Sequence, residues 1–459
     1  MDQSNVVRER ASAASAHPLA YVRRRNGWSY QDLARVIADH ARALGVPMAA
    51  RREKVWRWEH WGVVPEADSQ RALARALGIP PRELELRPWP RWLPAHGGMP
   101  DGLPWTAEGG LAALTALLDE AAADPRGLPV AEGCALRDAI ADWDEAFRPA
   151  AAEGAPAGTA VVVAAGPERV PEQSGAPGTV DNGVLEWLEA GVLGLRRLDD
   201  RLGGAAVRHR VEADLRLVCG LLDRRPQSRA AELRLLRIGA DLAQLGGWAA
   251  TDTGRHGAAQ RHYLTGLRLA HAAGDRSLAV ALWGGLSLQG VFAGRARDAV
   301  DAAEAAVRAA GGAPPAVRAL AACRLARAHA ALGAEGAFRR AAAEAERRLA
   351  AAGTDPGPSW LYWFDAAELA AQNGLSLLDL GEPYEARPLL DRALATQDPV
   401  YVRDRALYSA RAAHARTLTG DADGARVLTR EAARLSRHIS SSRLTQALNL
   451  LTPHPIPGR

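Results

Sequence analysis

Gly294-Arg295-Ala296-Arg297-Asp298-Ala299 sets a glycine five positions ahead of an alanine, at the junction of two stretches with helical periodicity. The same Gly-x4-Ala spacing recurs at Gly254…Ala259, Gly381…Ala386 and Gly420…Ala425, and Gly333 with Ala337 fits it with one residue missing. The five glycines stand 40, 39, 48 and 39 residues apart, and the longest interval contains the segment Gly353–Pro358. Glycine accepts the left-handed backbone that ends a helix without a Cβ clash, and a small alanine early in the next helix lets the two pack closely. The repeating unit is therefore a helical hairpin, and a row of such hairpins stacks into a solenoid.

Composition agrees with this reading. Hydrophobic residues make up 48% of the 459-residue chain, so a sizeable core can form, and Ala, Leu, Arg and Glu favour helix over strand. The fold class is expected to be all-α. Lys54 is the only lysine among 57 basic residues, a bias that deprives arginine abundance of meaning by itself. Cys134, Cys219 and Cys323 show no CxxC spacing, which points away from a disulfide framework or a cysteine zinc site. With no long apolar run and no basic-then-apolar leader at Met1-Asp2-Gln3-Ser4, the expected location is the cytoplasm, with no membrane partner.

Turn and breaker residues divide the chain. Residues 1–17 read as a flexible tail and 18–87 as a small bundle of five short helices. Residues 88–148 form a connector rich in Pro and Trp, stiff and docked along a surface, followed by helices at 107–123 and 136–147. Residues 149–182 read as a disordered linker, with Val161-Val162-Val163 as a weak strand candidate. Residues 183–452 hold the helical repeats, with a capping helix at 440–451, and 453–459 form a tail. Charge is uneven across these units. Residues 1–92 carry 16 basic and 10 acidic side chains, whereas the rest carries 41 and 43, so a positive field belongs to the N-terminal fifth.

Within that fifth stands Val55-Trp56-Arg57-Trp58-Glu59-His60-Trp61-Gly62-Val63-Val64-Pro65, preceded by Ser29-Tyr30-Gln31-Asp32-Leu33-Ala34 at the start of another helix. Ser29 is placed to cap that helix, with Asp32 three residues on. Val55 and Trp58 are three apart and share a face that can pack on Leu33, Ile37 and Leu73. Arg51, Arg52, Lys54, Trp56 and Arg57 then remain for the outward side. The order and the Val-x-x-Trp-Glu-x-x-Gly pattern resemble the lambda-repressor/Cro-like (XRE-type) helix-turn-helix domains. Together with the tetratricopeptide-like repeats, the chain resembles the regulators of that kind common in high-GC bacteria. Leu195-Arg196-Arg197-Leu198-Asp199-Asp200 with Gly203-Gly204, and Trp360-Leu361-Tyr362-Trp363 leading to Leu378-Asp379-Leu380-Gly381, resemble recurring segments of the same family. One departure stands out: Ala41–Ala50 is inserted before the reader helix.

The resemblance implies a sequence-specific DNA-binding transcriptional regulator whose repeat domain dimerises or senses a peptide or small ligand. The expected DNA-binding residues are Arg51, Arg52, Lys54, Trp56, Arg57, Ser29 and Gln31, and double-stranded DNA and a second copy of the chain are the expected partners. The alternative is an interaction scaffold whose N-terminal helices do not bind DNA. Arg23, Arg24 and Arg25 either hold phosphates or solubilise the first helix, and Glu59 caps or pairs with an arginine rather than touching a base. Trp360, Tyr362, Trp363 and Phe364 read as core more readily than as a pocket. Asp199-Asp200 reads as a charged helix end, because no metal-ligand set lies beside it. His256 and His262 are six apart, outside helical ligand spacing. No enzyme and no cofactor is expected. A P-loop needs a lysine that the chain lacks outside Lys54, HExxH is absent, and Gly285-Leu286-Ser287-Leu288-Gln289-Gly290 misses GxSxG by one residue.

Overall fold

The computed structural model describes residues 17–86, 88–90, 92–93, 103–123, 130–147, 180–226, 228–353, 355 and 357–451. The tails at 1–16 and 453–459, most of the linker at 149–182 and Val161–Val163 lie outside the described residues. Among the described residues the chain forms twenty α-helices, a single 3-10 turn at Ser359–Leu361 and no strand.

The first five helices are α1 (Pro18–Arg25), α2 (Tyr30–Ala43), α3 (Arg52–His60), α4 (Ala67–Ala76) and α5 (Pro81–Leu86). They enclose one small core of Leu19, Leu33, Ile37, Val55, Trp58 and Leu73. Ser29 caps α2: its hydroxyl accepts from the Asp32 amide at 3.1 Å, while the Asp32 carboxylate accepts from the Ser29 amide at 3.0 Å. Residues 89, 92 and 93 pack on this bundle. Trp92 and Leu93 are buried in the core, and Trp92 Nε1 donates to Gln70 Oε1 at 3.1 Å.

Helices α6 (Ala107–Ala123) and α7 (Cys134–Ala146) have a different place from the connector expected. Leu114, Leu117, Leu136, Ile140 and Trp143 are buried in the core of the repeat body, and the Ala131 backbone exchanges two hydrogen bonds with Gln260. Both helices are thus covering elements of the body. Their apolar faces are too long to remain on a tether exposed to water. Val22 of α1 is buried in the same large core, so the N-terminal bundle rests against the body.

The body continues with α8 (Asn182–Leu202) and α9 (Gly204–Asp223). Five hairpins follow: α10 (Arg229–Asp252) with α11 (His256–Ala272), α12 (Arg276–Phe292) with α13 (Ala296–Ala309), α14 (Pro315–Ala331) with α15 (Glu335–Ala352), α16 (Ala366–Asp379) with α17 (Pro383–Thr396), and α18 (Val402–Leu418) with α19 (Ala422–Ser436). Helix α20 (Ser442–Asn449) ends the described chain. Each hairpin turn carries its glycine at positive φ, and the residue after it donates back across the turn, as Arg295 N does to Gly290 O at 2.8 Å. Ala259, Ala299 and Ala386 are fully buried at the helix contact. At Gly333 the spacing is intact after all. Phe338, five positions on and 3% exposed, takes the contact position, and Ala337 is the neighbour beside it. Gly274 and Ala279 repeat the same device between hairpins, at the α11–α12 turn.

The first helices of successive hairpins, α10, α12, α14, α16 and α18, lie side by side as an inner layer, and α8 packs against α18. The C-terminal segment closes the circle: Ser440 N donates to Leu202 O at 3.4 Å, and Ser441 Oγ donates to Asp252 at 2.8 Å. The helix stack is therefore a ring rather than an open arc.

Candidate functional site

Two places concentrate chemistry: the outer face of α3 and the interior of the ring. On α3, Val55 and Trp58 are buried, while Arg51, Arg52, Trp56, Arg57 and His60 are exposed and Lys54 is half-buried. The three-residue spacing of the two apolar side chains turns the cationic face outward. Arg52 meets only its neighbour Glu53 at 3.1 Å, and Lys54 stands 3.8 Å from Glu66, both in water. Arg57 makes no ion pair among the described residues and lies over the Trp61 ring at 5.7 Å. Trp56 stacks on His60 at 4.6 Å and meets the edge of Trp61 at 5.2 Å, so an exposed aromatic patch borders the cations.

The remaining expected residues sit at the start of α2. The Ser29 hydroxyl is engaged with Asp32, and Gln31 Nε2 donates to Ala50 O at 3.3 Å, holding the loop that leads into α3. That loop spans only 44–51, because α2 runs on to Ala43. Arg23 has neither of the two roles weighed for it. Its guanidinium grips Glu59 at 2.7 and 3.1 Å and covers Tyr30 at 4.0 Å, fixing α1 to α3. Glu59 is accordingly an arginine partner and Trp58 is core.

Inside the ring, α8, the five inner helices and α20 line a cavity of about 70 Å³. Asp199 of α8 accepts from the Arg403 guanidinium of α18, and from Trp248 Nε1 at 3.0 Å. Arg403 also holds Asp404 at 3.1 Å and stands 3.7 Å from Asp200, whose carboxylate accepts from the Tyr362 hydroxyl. Arg443 of α20 donates to Asp252 at 2.9 Å and covers Trp248 at 4.4 Å. Asp252 receives the Gly204 amide at 3.2 Å as well, so one carboxylate ties three segments together. Burial alone would raise its pKa; Arg443, Arg403, the Ser441 hydroxyl and that amide hold it below the usual value.

Burial dominates elsewhere. It pushes Asp200 up to about 6 against the pull of Arg403. It pushes Glu368, helped by Asp404, up to about 7, although Tyr408 donates to Glu368 at 2.5 Å. No protein-family model and no curated protein matches the chain.

The sequence reading of this interior needs correcting. Asp199 and Asp200 do stand in the last turn of α8, but they are 2% and 7% exposed, at the seam of the ring. Trp360, Tyr362 and Trp363 are not merely core, since all three line the cavity. Asp252, Arg403, Asp404, Arg443, Arg324 and Glu368 were missed. No local motif marks them, because the partners are far apart in sequence, 204 positions in the case of Asp199 and Arg403.

Proposed function

We propose that the chain is a sequence-specific, DNA-binding transcriptional regulator. In this reading α2 and α3 form the helix-turn-helix, α3 enters the major groove, and the ring of hairpins is a tetratricopeptide-like body that senses a ligand and pairs two copies. The observation that carries it is the division of α3: Val55 and Trp58 anchor it in the bundle, while Arg51, Arg52, Lys54 and Arg57 face water with only exposed or absent carboxylate partners. Cations presented this way exchange counterions for phosphates, and arginine can grip guanine O6 and N7 with two hydrogen bonds. Arg52 and Arg57 are the base readers in this scheme, with Arg51 and Lys54 on phosphates and Trp56 against a sugar or thymine methyl group. Ser29 and Gln31 sit at the N-terminus of α2, the end of a helix that favours a phosphate. Two copies place two α3 helices about 34 Å apart, one turn of duplex.

Fluorescence-anisotropy titration of a labelled duplex at several salt concentrations tests the proposal. Binding is expected to weaken steeply and linearly in log–log form, with Lys54→Ala lowering the slope by about one unit. A full-length chain with no saturable duplex binding at low salt contradicts the proposal and favours a scaffold.

A further inference from the structure

Among the described residues, one arginine lining the cavity makes no ion pair. Arg324 on α14 is 6% exposed and lines the cavity, and among the described residues its Nη1 has no hydrogen-bond partner. Its stem is seated against Gly284 of α12, where an added Cβ would stand 3.1 Å from Arg324 Cγ. Its guanidinium lies over Trp363 at 5.4 Å. The other cavity arginines are taken: Arg196 by Asp241, Arg403 by Asp199 and Asp404, and Arg443 by Asp252. Glu368 feels the Arg324 charge, yet its oxygens accept from Tyr408 and Gln372. Arginine does not shed its proton in a protein, and a buried charge left unpaired is strongly destabilising. Arg196 Nε, Asp199 Oδ1 and Gln244 Oε1 in the same cavity also lack partners.

We propose that Arg324 is the anchor for a small monocarboxylic acid with a flat apolar body, bound inside the ring. The carboxylate takes the free guanidinium, which suits a planar two-oxygen acceptor. The body lies among Leu288, Leu320, Trp360 and Trp363, all of which line the cavity. A single negative charge is specified. One free guanidinium compensates one negative charge, because Arg196, Arg403 and Arg443 are already held by Asp241, Asp199 with Asp404, and Asp252. Asp199, Asp200 and Arg403 line the same cavity, so the ligand would lie beside the seam that closes the ring.

This inference deepens the reading of the repeat body as a sensor and rests on that reading for its purpose, but its test involves no DNA. Full-length chain is titrated with 1-naphthoate and with neutral 1-naphthamide, following tryptophan fluorescence and the melting temperature. Naphthoate is expected to bind saturably and raise the melting temperature, with naphthamide about tenfold weaker or more. Arg324→Met is expected to lose naphthoate binding by about tenfold or more while melting, ligand-free, no lower than wild type, because the unpaired charge is gone. Arg324→Lys, which keeps the charge and loses the fork, is expected to fall between the two. Equal affinity for acid and amide, no saturable naphthoate binding, or unchanged binding in either variant overturns the assignment. So does a ligand-free Arg324→Met chain that melts well below wild type, since Arg324 is then part of the framework. Naphthoate binding without duplex binding would remove the regulator and leave the site; the reverse would remove the site alone.

Discussion

Arginines of α3 and arginines of the ring interior are the same side chain in opposite settings. Arg52 and Arg57 stand in water with at most an exposed neighbour, whereas the Arg403 side chain is 4% exposed and shares three carboxylates. In a chain where nearly every cation is arginine, residue type says nothing about role; burial and partnership do. A solvated arginine contributes little to the fold and is free to meet an anion, while a buried, paired one is committed to the fold. Arg324 belongs to neither group, being buried like the second and unpaired like the first.

The largest effect should come from breaking the seam. Arg403→Ala leaves Asp199 buried without its cation and is expected to cost ~3–5 kcal/mol in urea denaturation. A loss within ~0.5 kcal/mol, the range of ordinary surface changes, would erase the contrast between the two sets of arginines.

Next is a pH effect inside the ring. Burial raises Glu368 from 4.5 to about 7, so between those values the folded chain holds a proton that the unfolded chain releases. Its contribution therefore falls as pH rises through that window, at ~1.4 kcal/mol per pH unit. His256 and His262, pulled down to about 4 by burial, work in the opposite direction between about 4 and 6.5 and mask the trend in the wild type. Comparing Glu368→Gln with wild type removes their share. The variant should gain on wild type from pH 5 to pH 7, and a constant difference would mean that Glu368 is charged throughout.

On the exposed side, Arg57→Ala should leave stability within ~0.5 kcal/mol of wild type and cost ~1–3 kcal/mol in binding to a preferred duplex. Stability loss without binding loss would move Arg57 into the structural class. The smallest expected effect is at the α2 cap, where Ser29→Ala should lower stability by ~1 kcal/mol through the lost bond to the Asp32 amide. A larger fall in DNA affinity than in stability would give Ser29 a direct part in binding.

What the sequence made legible was local. The hairpin turns could be read because the left-handed position wants glycine and the close helix contact wants a small residue, five positions apart. Phe338 hid one register, because a large side chain filled the place held elsewhere by alanine, and Gly274…Ala279 was overlooked for lying between hairpins rather than within one. The facing of α3 was equally legible, since Val55 and Trp58 share a face by helical spacing alone. The cavity was not. Asp199 meets Arg403, and Asp252 meets Arg443, only because the last helices fold back onto the first. Ring closure depends on the summed tilt of five hairpins, which no short window of sequence records. The misplacement of α6 and α7 has the same origin, since their apolar faces were visible but the surface that covers them was not.

The account turns on whether the solvated cations of α3 read DNA. Selection of bound duplexes from a random pool, with full-length chain at one physiological ionic strength, tests this most directly. The account predicts a paired motif with half-sites about one helical turn apart, lost when Arg52 and Arg57 are both changed to Ala. No enrichment over a control protein, or the same motif recovered with the doubly substituted chain, would contradict it.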